Sequence, residues 1–374
     1  MATIFYSVGG EGLGHATRSG VVISHLLRKH HTLCLFSHER ALNYLKETFG
    51  NSRNILKISE ISGINFVYED NQFMLGKTVL KEAKKLSSLL FKTPLLFIKS
   101  ILLHRPDVVI SDFEPASVLI AKAFGIPVIH IDNQAFMSKC SIDKRFSASP
   151  YIKLINYTYP LHSGYNLIPT MFNVPLKKRY VGKATLIGPF IRGTILKSKR
   201  KQGNHILVYQ TSTSNRELFD VLKKSSEHYI VYGFNRLGHD KNLEFKKASE
   251  RQFADDLASS KAIITNGGFT LMSEAIALKK PVYTIPVKNQ IEQEVNGYYL
   301  QRSGFGMCSE EINLTDLNTF LKNISTYGKA LSKLSLKINQ FDILDNKLDS
   351  LTTNPKKQAD KRGALDKKYV LEVN

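Results

Sequence analysis

Residues 263–297 read IITNGGFTLMSEAIALKKPVYTIPVKNQIEQEVNG, and the order of local signals in them decides the fold. A short apolar run, Ala262 to Thr265, meets the glycine pair Gly267–Gly268, and a helical pattern opens at Thr270. A second apolar run, Val282 to Ile285, follows Pro281, and a polar loop rich in Gln, Asn and Glu comes next. Strand, glycine turn, helix and strand in that order are the repeat of a parallel sheet covered by helices. Glycines let the backbone approach a ligand closely, and a helix start points unpaired N–H groups at an anion.

The same alternation opens the chain. Thr3 to Val8 reads as a buried strand, Gly9 to His15 as a glycine loop, and Ala16 to Arg28 as a helix with Val21, Val22, His25 and Leu26 inward. His31 to Ser37 reads as a second strand. Gly9 and Gly14 have P-loop spacing, but His15 and Ala16 stand where the lysine and the magnesium-binding hydroxyl belong. A dinucleotide fingerprint begun at Gly10 finds His15 in place of its third glycine, although Glu39 could mimic the ribose acid. What remains is a histidine at the carboxyl edge of a sheet, suited to general-base chemistry near neutral pH. An isolated histidine more often packs a loop. The glycines around this one, Gly9, Gly10, Gly12 and Gly14, tilt the reading because they clear space for the ring.

Pro106 to Asp112 (PDVVISD) is a buried strand ending in acid, followed by Phe113, Glu114 and Pro115, and Gly125 to Asp132 is another. Asp112 thus falls on the sheet edge where open α/β folds bind ligands. It can orient His15 and stabilise its protonated form, or it can cap the next helix. Both readings stand. Lys77 to Leu103 alternates basic and apolar residues around Pro94. It suits either helices packed on the sheet with solvated lysines, or an amphipathic pair lying on an anionic membrane surface.

At 374 residues the chain exceeds a typical single core, so two domains are expected. The polar stretch Lys197–Asn204 (KSKRKQGN) is the natural linker. It divides a first domain, 1–196, from a second, 205–345, with His205 to Gln210 opening the new sheet. Leu314 to Leu348 reads as helical, and the Lys-rich residues 346–374 read as a flexible tail. No apolar stretch reaches the ~20 residues of a membrane span, and no signal-peptide pattern precedes the first strand. Three scattered cysteines suggest neither disulfides nor a zinc site. A cytoplasmic protein is expected. The net charge of +20 favours anionic partners: nucleic acid, anionic lipid or phosphorylated substrate. No zinc finger or aromatic-interleaved RNA platform accompanies it, so no specific nucleic-acid partner is expected.

Taken in order, several short windows resemble the GT-B glycosyltransferases, which have two Rossmann-like domains with parallel sheets facing across a cleft. Those windows are Asn266-Gly267-Gly268-Phe269-Thr270, Ser273-Glu274-Ala275, Lys280-Pro281, Pro286, Glu292-Gln293 and Asn296-Gly297. They are similar to the donor site of the MurG-type enzymes (family 28) and of the UDP-sugar glycosyltransferases (family 1). GGEGLGHATR, with SDFEP further on, resembles an uncharacterised branch of glycosyltransferases. The resemblance spans most of residues 1–305.

It implies that Asn266, Gly267, Gly268 and Thr270 meet the donor diphosphate, that Glu274 holds the ribose hydroxyls, and that Glu292 and Gln293 hold the sugar. Asn266 replaces the histidine common there in family 1, and Glu292 is one methylene longer than the usual aspartate. His15 would be the base and Asp112 its partner, with Gly10, Gly12, Gly14 and Glu114 on the acceptor side. Asp255-Asp256 reads as a helix-surface feature and not as a metal motif, so no metal or cofactor is expected. A helix dipole and loop amides can stabilise the leaving diphosphate instead. The expected activity is an inverting, metal-independent transfer from a nucleotide-diphosphate sugar, UDP-linked by resemblance, to an acceptor hydroxyl. The acceptor is open among lipid-linked carriers, cell-envelope polymers and small metabolites. The basic charge leans toward one on the inner membrane face. Two alternatives stay open: a sugar-nucleotide 2-epimerase using Asp112, Glu114 and Glu11, and a nucleotide-sugar-binding protein without turnover.

Overall fold

The computed structural model describes residues 1–10, 13–63, 68–69, 72–73, 77, 91–153, 164–198, 201, 203–210, 216–247, 249–336 and 339–352. Gly12, Glu11, residues 78–90 of the amphipathic stretch and residues 353–374 of the expected tail lie outside them.

The first half runs β1 (Thr3–Val8), α1 (Leu13–Arg28), β2 (Thr32–Ser37), α2 (Glu39–Phe49) and β3 (Ile55–Glu60). The short strands β4 (Tyr68–Glu69) and β5 (Gln72–Phe73) pair antiparallel apart from the main sheet. Then follow α3 (Thr93–His104), β6 (Val108–Asp112), α4 (Pro115–Ala123), β7 (Val128–Ile131), α5 (Ala135–Lys139) and α6 (Lys144–Ser147). β8 (Tyr165–Pro169), β9 (Ala184–Ile187) and α7 (Gly193–Lys197) close this half. Its strands pair in parallel in the order β3-β2-β1-β6-β7-β8-β9.

The second half begins with β10 (His205–Tyr209), α8 (Arg216–Leu222), β11 (His228–Tyr232), β12 (Gly238–Asp240), β13 (Leu243–Phe245) and α9 (Glu250–Ser259). It continues with β14 (Ala262–Thr265), α10 (Phe269–Ala277), β15 (Val282–Thr284), α11 (Ile291–Arg302), β16 (Gly306–Cys308), α12 (Leu314–Lys333) and α13 (Gln340–Thr352). Its sheet order is β12-β13-β11-β10-β14-β15-β16, parallel except for the edge pair β12–β13.

Both sheets are covered on two faces, which is why their strands read as unbroken apolar runs. Ile4, Tyr6 and Val8 of β1 join one buried cluster with Val22, Ile23 and Leu26 of α1. Phe5 between them turns to the other face, against Phe97 and Ile101 of α3. In the second sheet Ile206 and Val208 pack with Leu317 and Phe320 of α12, while Leu207 faces the cluster that holds Met272 and Ile276 of α10. The order reverses beside β1 and β6 in one sheet and beside β10 and β14 in the other. Such switch points open the crevices where α/β sheets bind ligands.

The C-terminal helical region departs from the expectation. Instead of one helix over Leu314–Leu348, α12 stops at Lys333, because Leu334 has extended backbone with ψ 125°. After it α13 returns to the first half, where Leu344 and Leu348 bury beside Ile4 and Tyr6. Residues 346–352, expected as tail, are therefore the end of a docked helix. Its i,i+4 leucines form the apolar stripe that holds it. Asp345 of α13 accepts from His25 Nε2 at 2.7 Å and from Lys29 at 3.1 Å.

Candidate active site

His15 and Asp112 meet at the first switch point. β1 and β6 lie side by side in the register Val8↔Asp112, so the histidine one turn into α1 reaches the last residue of β6. His15 Nδ1 lies 2.8 Å from Asp112 Oδ1, and among the described residues its Nε2 has no partner. The His15 side chain is 19% exposed and Asp112 fully buried. Phe113, held at φ 55°, stacks on the His15 ring with centroids 6.0 Å apart. A non-glycine residue in that region costs about 1 kcal/mol or more, so the neighbours must hold it there.

Asp112 does not cap the helix after it. Glu114 does, accepting from the Ala116 and Ser117 amides at 2.9 and 2.8 Å, and it is buried in that role. Glu114, expected on the acceptor side, thus has both carboxylate oxygens on its own helix start. Burial raises its carboxyl above the ordinary range.

Arg18 supplies what the sequence reading missed. Its Nε donates to Asp112 Oδ2 at 2.8 Å, its Nη2 donates to Oδ1, and its Nη1 donates to Asn133 Oδ1. Ser19 Oγ adds a bond to Asp112 Oδ2 at 2.8 Å. Burial alone would raise the Asp112 carboxyl; Arg18 and His15 outweigh it and hold the group well below the usual carboxylate range. Arg18 Nη2 also lies 2.7 Å from His15 Nδ1, so that ring nitrogen faces both a carboxylate acceptor and a guanidinium donor. Nε2 is the open base position in the tautomer that donates Nδ1–H to Oδ1.

The loop glycines have separate neighbours and do not form one cleared space. A Cβ on Gly10 would collide with the carbonyl and ring of His38. One on Gly14 would meet Thr270 Oγ1 at 3.3 Å, across the cleft.

The second switch point carries the other predicted group. Gly267, at φ +89°, turns the chain from β14 into α10, and a Cβ there would press on the Gln293 carbonyl at 3.1 Å. Gly268 begins α10 without a side-chain cap, and a Cβ on it would meet nothing within 4 Å. No side chain caps the N–H groups that begin α10. Asn266 Nδ2 donates to Gln210 Oε1 at 2.8 Å and to the Ile285 carbonyl at 3.1 Å. Gln210 Nε2 is buried with no hydrogen bond among the described residues. Gln293 Oε1 accepts from the Val287 amide at 2.9 Å, shaping its own loop, and Asn296 ties to the Gly267 carbonyl at 3.0 Å.

Several of these residues are joined from one half to the other. Thr270 Oγ1 donates to the Gly14 carbonyl at 3.0 Å. Asn133 Nδ2 donates to Glu292 Oε1 at 2.7 Å. Arg192 grips Glu274 with Nε on Oε1 and Nη2 on Oε2, both at 2.7 Å. The structure therefore gathers His15, Asp112, Gly14, Asn266, Gly267, Gly268, Thr270, Glu274, Glu292 and Gln293 around one cleft, and it adds Arg18, Asn133, Arg192 and Gln210. Arg18 had a signal: it lies three residues after His15, on the same helix face.

Among the described residues no group of three or more His, Cys, Asp or Glu side chains converges as a metal site. Asp256, expected at a helix surface, is buried and accepts from Tyr232 OH at 2.6 Å and Lys246 at 2.9 Å. No described helix is long and apolar enough to cross a membrane.

Comparison with known proteins bears on the family and the fold. Residues 2–325 match the profile of the family described as glycosyl transferase family 1. An uncharacterized glycosyltransferase of Methanosarcina acetivorans is 24% identical over 334 residues, covering 81% of this chain and 82% of the relative. A transferase of Clostridium botulinum, named for moving N-acetylglucosamine from UDP to a pyrophosphoryl-undecaprenol acceptor, is 24% identical over 181 residues. That match covers 40% of this chain and 51% of the relative. The structure of Phytolacca americana UGT2, complexed with UDP-2fluoro-glucose and pterostilbene, superposes with a TM-score of 0.66 at 12% identity. It covers 93% of this chain and 99% of the other. The fold is that of the GT-B glycosyltransferases.

Proposed function

We propose, from the premise that the chain belongs to glycosyl transferase family 1, that this glycosyltransferase moves a sugar from a UDP-linked donor to an acceptor hydroxyl with inversion. The observation that carries the reading is the pairing of a buried Asp112 with His15 directly across from the uncapped start of α10. His15 Nε2 takes the acceptor proton while Asp112 holds the ring and stabilises its cation. The oxygen so activated attacks the anomeric carbon from the face opposite the leaving diphosphate, and one displacement inverts the centre. The diphosphate collects its charge on the N–H groups of α10, with Thr270 and the spare amide of Gln210 beside them. No metal is assigned a part. Glu274 serves the ribose, and Glu292, whose Oε2 has no partner among the described residues, serves the sugar.

The UDP donor and a lipid-linked acceptor are taken from the names of the Clostridium and Phytolacca proteins. The exposed face of α3 supports a membrane-borne acceptor at the inner face. Leu95, Leu102 and Leu103 stand in solvent beside Phe91, flanked by Lys92, Lys99 and Arg105. A 2-epimerase would need free acids in the cleft; Asp112 and Glu114 are both committed to other partners, and Glu11 lies outside the described residues.

Transfer assays with UDP-, GDP- and dTDP-sugars test the reading. A UDP-sugar should be consumed, and His15→Ala should lower turnover ~100-fold or more with donor affinity nearly unchanged. Full turnover in that variant removes the base assignment. Formation of an epimeric donor without transfer removes the transferase chemistry.

A further inference from the structure

The carboxylate proposed for the ribose is already occupied. Glu274 is 1% exposed, and each of its oxygens accepts one N–H of Arg192 at 2.7 Å. Arg192 is itself only 13% exposed in its side chain. A ribose diol offers the same complement, two donors side by side, to the same two oxygens. The two cannot both hold Glu274 in this geometry. An ionised carboxylate left bare at that depth is strongly unfavourable, so something must fill the place while the site is empty.

We infer that Arg192 is a latch on the nucleotide site: it satisfies Glu274 in the empty enzyme and must be displaced by the ribose hydroxyls when donor enters. The inference rests on the ribose role of Glu274. The latch sits where its release has reach. Arg192 is the N-cap of α7 and precedes the connecting residues 198–204, while Glu274 lies on α10, whose start faces the leaving group. Thr194, two residues on, bonds Glu250 at 3.0 Å, and the Glu250 carboxylate lies within electrostatic reach of Arg192. Glu250 is the partner toward which the freed guanidinium can turn. The Arg192 guanidinium also lies 5.7 Å from the Phe253 ring, whose face can receive the displaced cation.

A competitor and a ligand leave opposite signatures. UDP and inorganic pyrophosphate are titrated by calorimetry into the wild-type chain, Arg192→Gln, Arg192→Lys and Glu274→Gln. Pyrophosphate carries the charge of the donor without its ribose. Arg192→Gln should bind UDP about 5–10-fold tighter, with pyrophosphate within twofold of wild type, because only the ribose competes with the latch. Should Arg192→Gln fail to fold, Arg192→Lys keeps the charge on a single point donor and should move UDP affinity in the same direction. Equal weakening of UDP and pyrophosphate would make Arg192 a phosphate ligand and overturn the latch. Unchanged UDP affinity in both Arg192 variants, with Glu274→Gln weakened about tenfold, overturns the latch alone. Unchanged affinity in Glu274→Gln removes the ribose role itself, and the latch with it.

Discussion

Replacing Arg18 by Met tests the electrostatic centre of the cleft without needing a substrate. The aliphatic stem is kept, and the guanidinium that holds Asp112 and Asn133 is lost. Asp112, fully buried, is left with His15 and Ser19. Removing one partner of a buried pair costs about 3–5 kcal/mol. In a domain of some 200 residues, about 1 kcal/mol moves the melting midpoint by roughly 2–4 °C, so a fall of roughly 10 °C near pH 7 is expected.

The pH dependence supplies the sharper check. In the wild type the Asp112 carboxyl lies below its ordinary value of 3.8, so its contribution is complete above that pH and is lost as pH falls further. In Arg18→Met burial dominates and the carboxyl rises above 3.8. Protonation then relieves the buried charge as pH falls, so the variant regains stability on acidification. The gap between the two midpoints should therefore be widest at pH 7–8 and shrink toward pH 4. Thermal unfolding followed by circular dichroism across that range reads it directly. A gap under about 2 °C, or one constant from pH 8 to 4, would refute the assignment of Arg18 as the charge partner of Asp112.

Two further outcomes concern the cleft and the exposed helix face. Asn133→Asp sets a carboxylate against Glu292 and should lower the melting midpoint. Adding Glu292→Gln restores a hydrogen bond of reversed polarity, and a double-mutant cycle should give a coupling of about 1–3 kcal/mol, whereas simple additivity would show the Asn133–Glu292 contact to be inert. In vesicle pelleting the chain should bind phosphatidylglycerol vesicles, release as salt rises to ~0.5 M, and lose binding in Leu102→Asp/Leu103→Asp; equal binding to neutral vesicles would remove the anionic-surface reading of α3.

What could be read in advance follows from range along the chain. Strand, glycine turn and helix are local signals, so the central strands of both sheets, the turn at Gly267 and the strand-end position of Asp112 were visible in order, while β3, β12, β13 and β16 toward the sheet edges were not. The partners of the acids were not. Arg18 meets Asp112 across 94 residues, Arg18 meets Asn133 across 115, and Arg192 meets Glu274 across 82. Only the sheet order brings those pairs together, and no spacing rule encodes it. Gly10 misled for a related reason: its neighbour is the ring of His38, at the end of the adjacent strand, not His15. The leucine stripe of α13 was legible as helix, but nothing in its period says which sheet it covers.

Burial makes the partners of Asp112 and Glu274 necessary. Asp112, Glu274 and Glu292 are the acids proposed to orient the base, hold the ribose and hold the sugar. In the empty cleft all three are bonded to protein donors, Arg18, Arg192 and Asn133. Asp112 and Glu274 are buried, where a carboxylate without donors is costly, and Glu292 is half-buried. Two of those donors, and Gly14 opposite Thr270, come from the other half of the chain. A donor occupying the proposed stations must therefore exchange its hydroxyls and phosphates for bonds that now tie the halves together. Affinity for the donor and the closure of the halves are then one coupled equilibrium. By linkage, a substitution that loosens a cross-cleft bond without touching the ligand shifts nucleotide affinity to the extent that the open and closed states bind the donor differently.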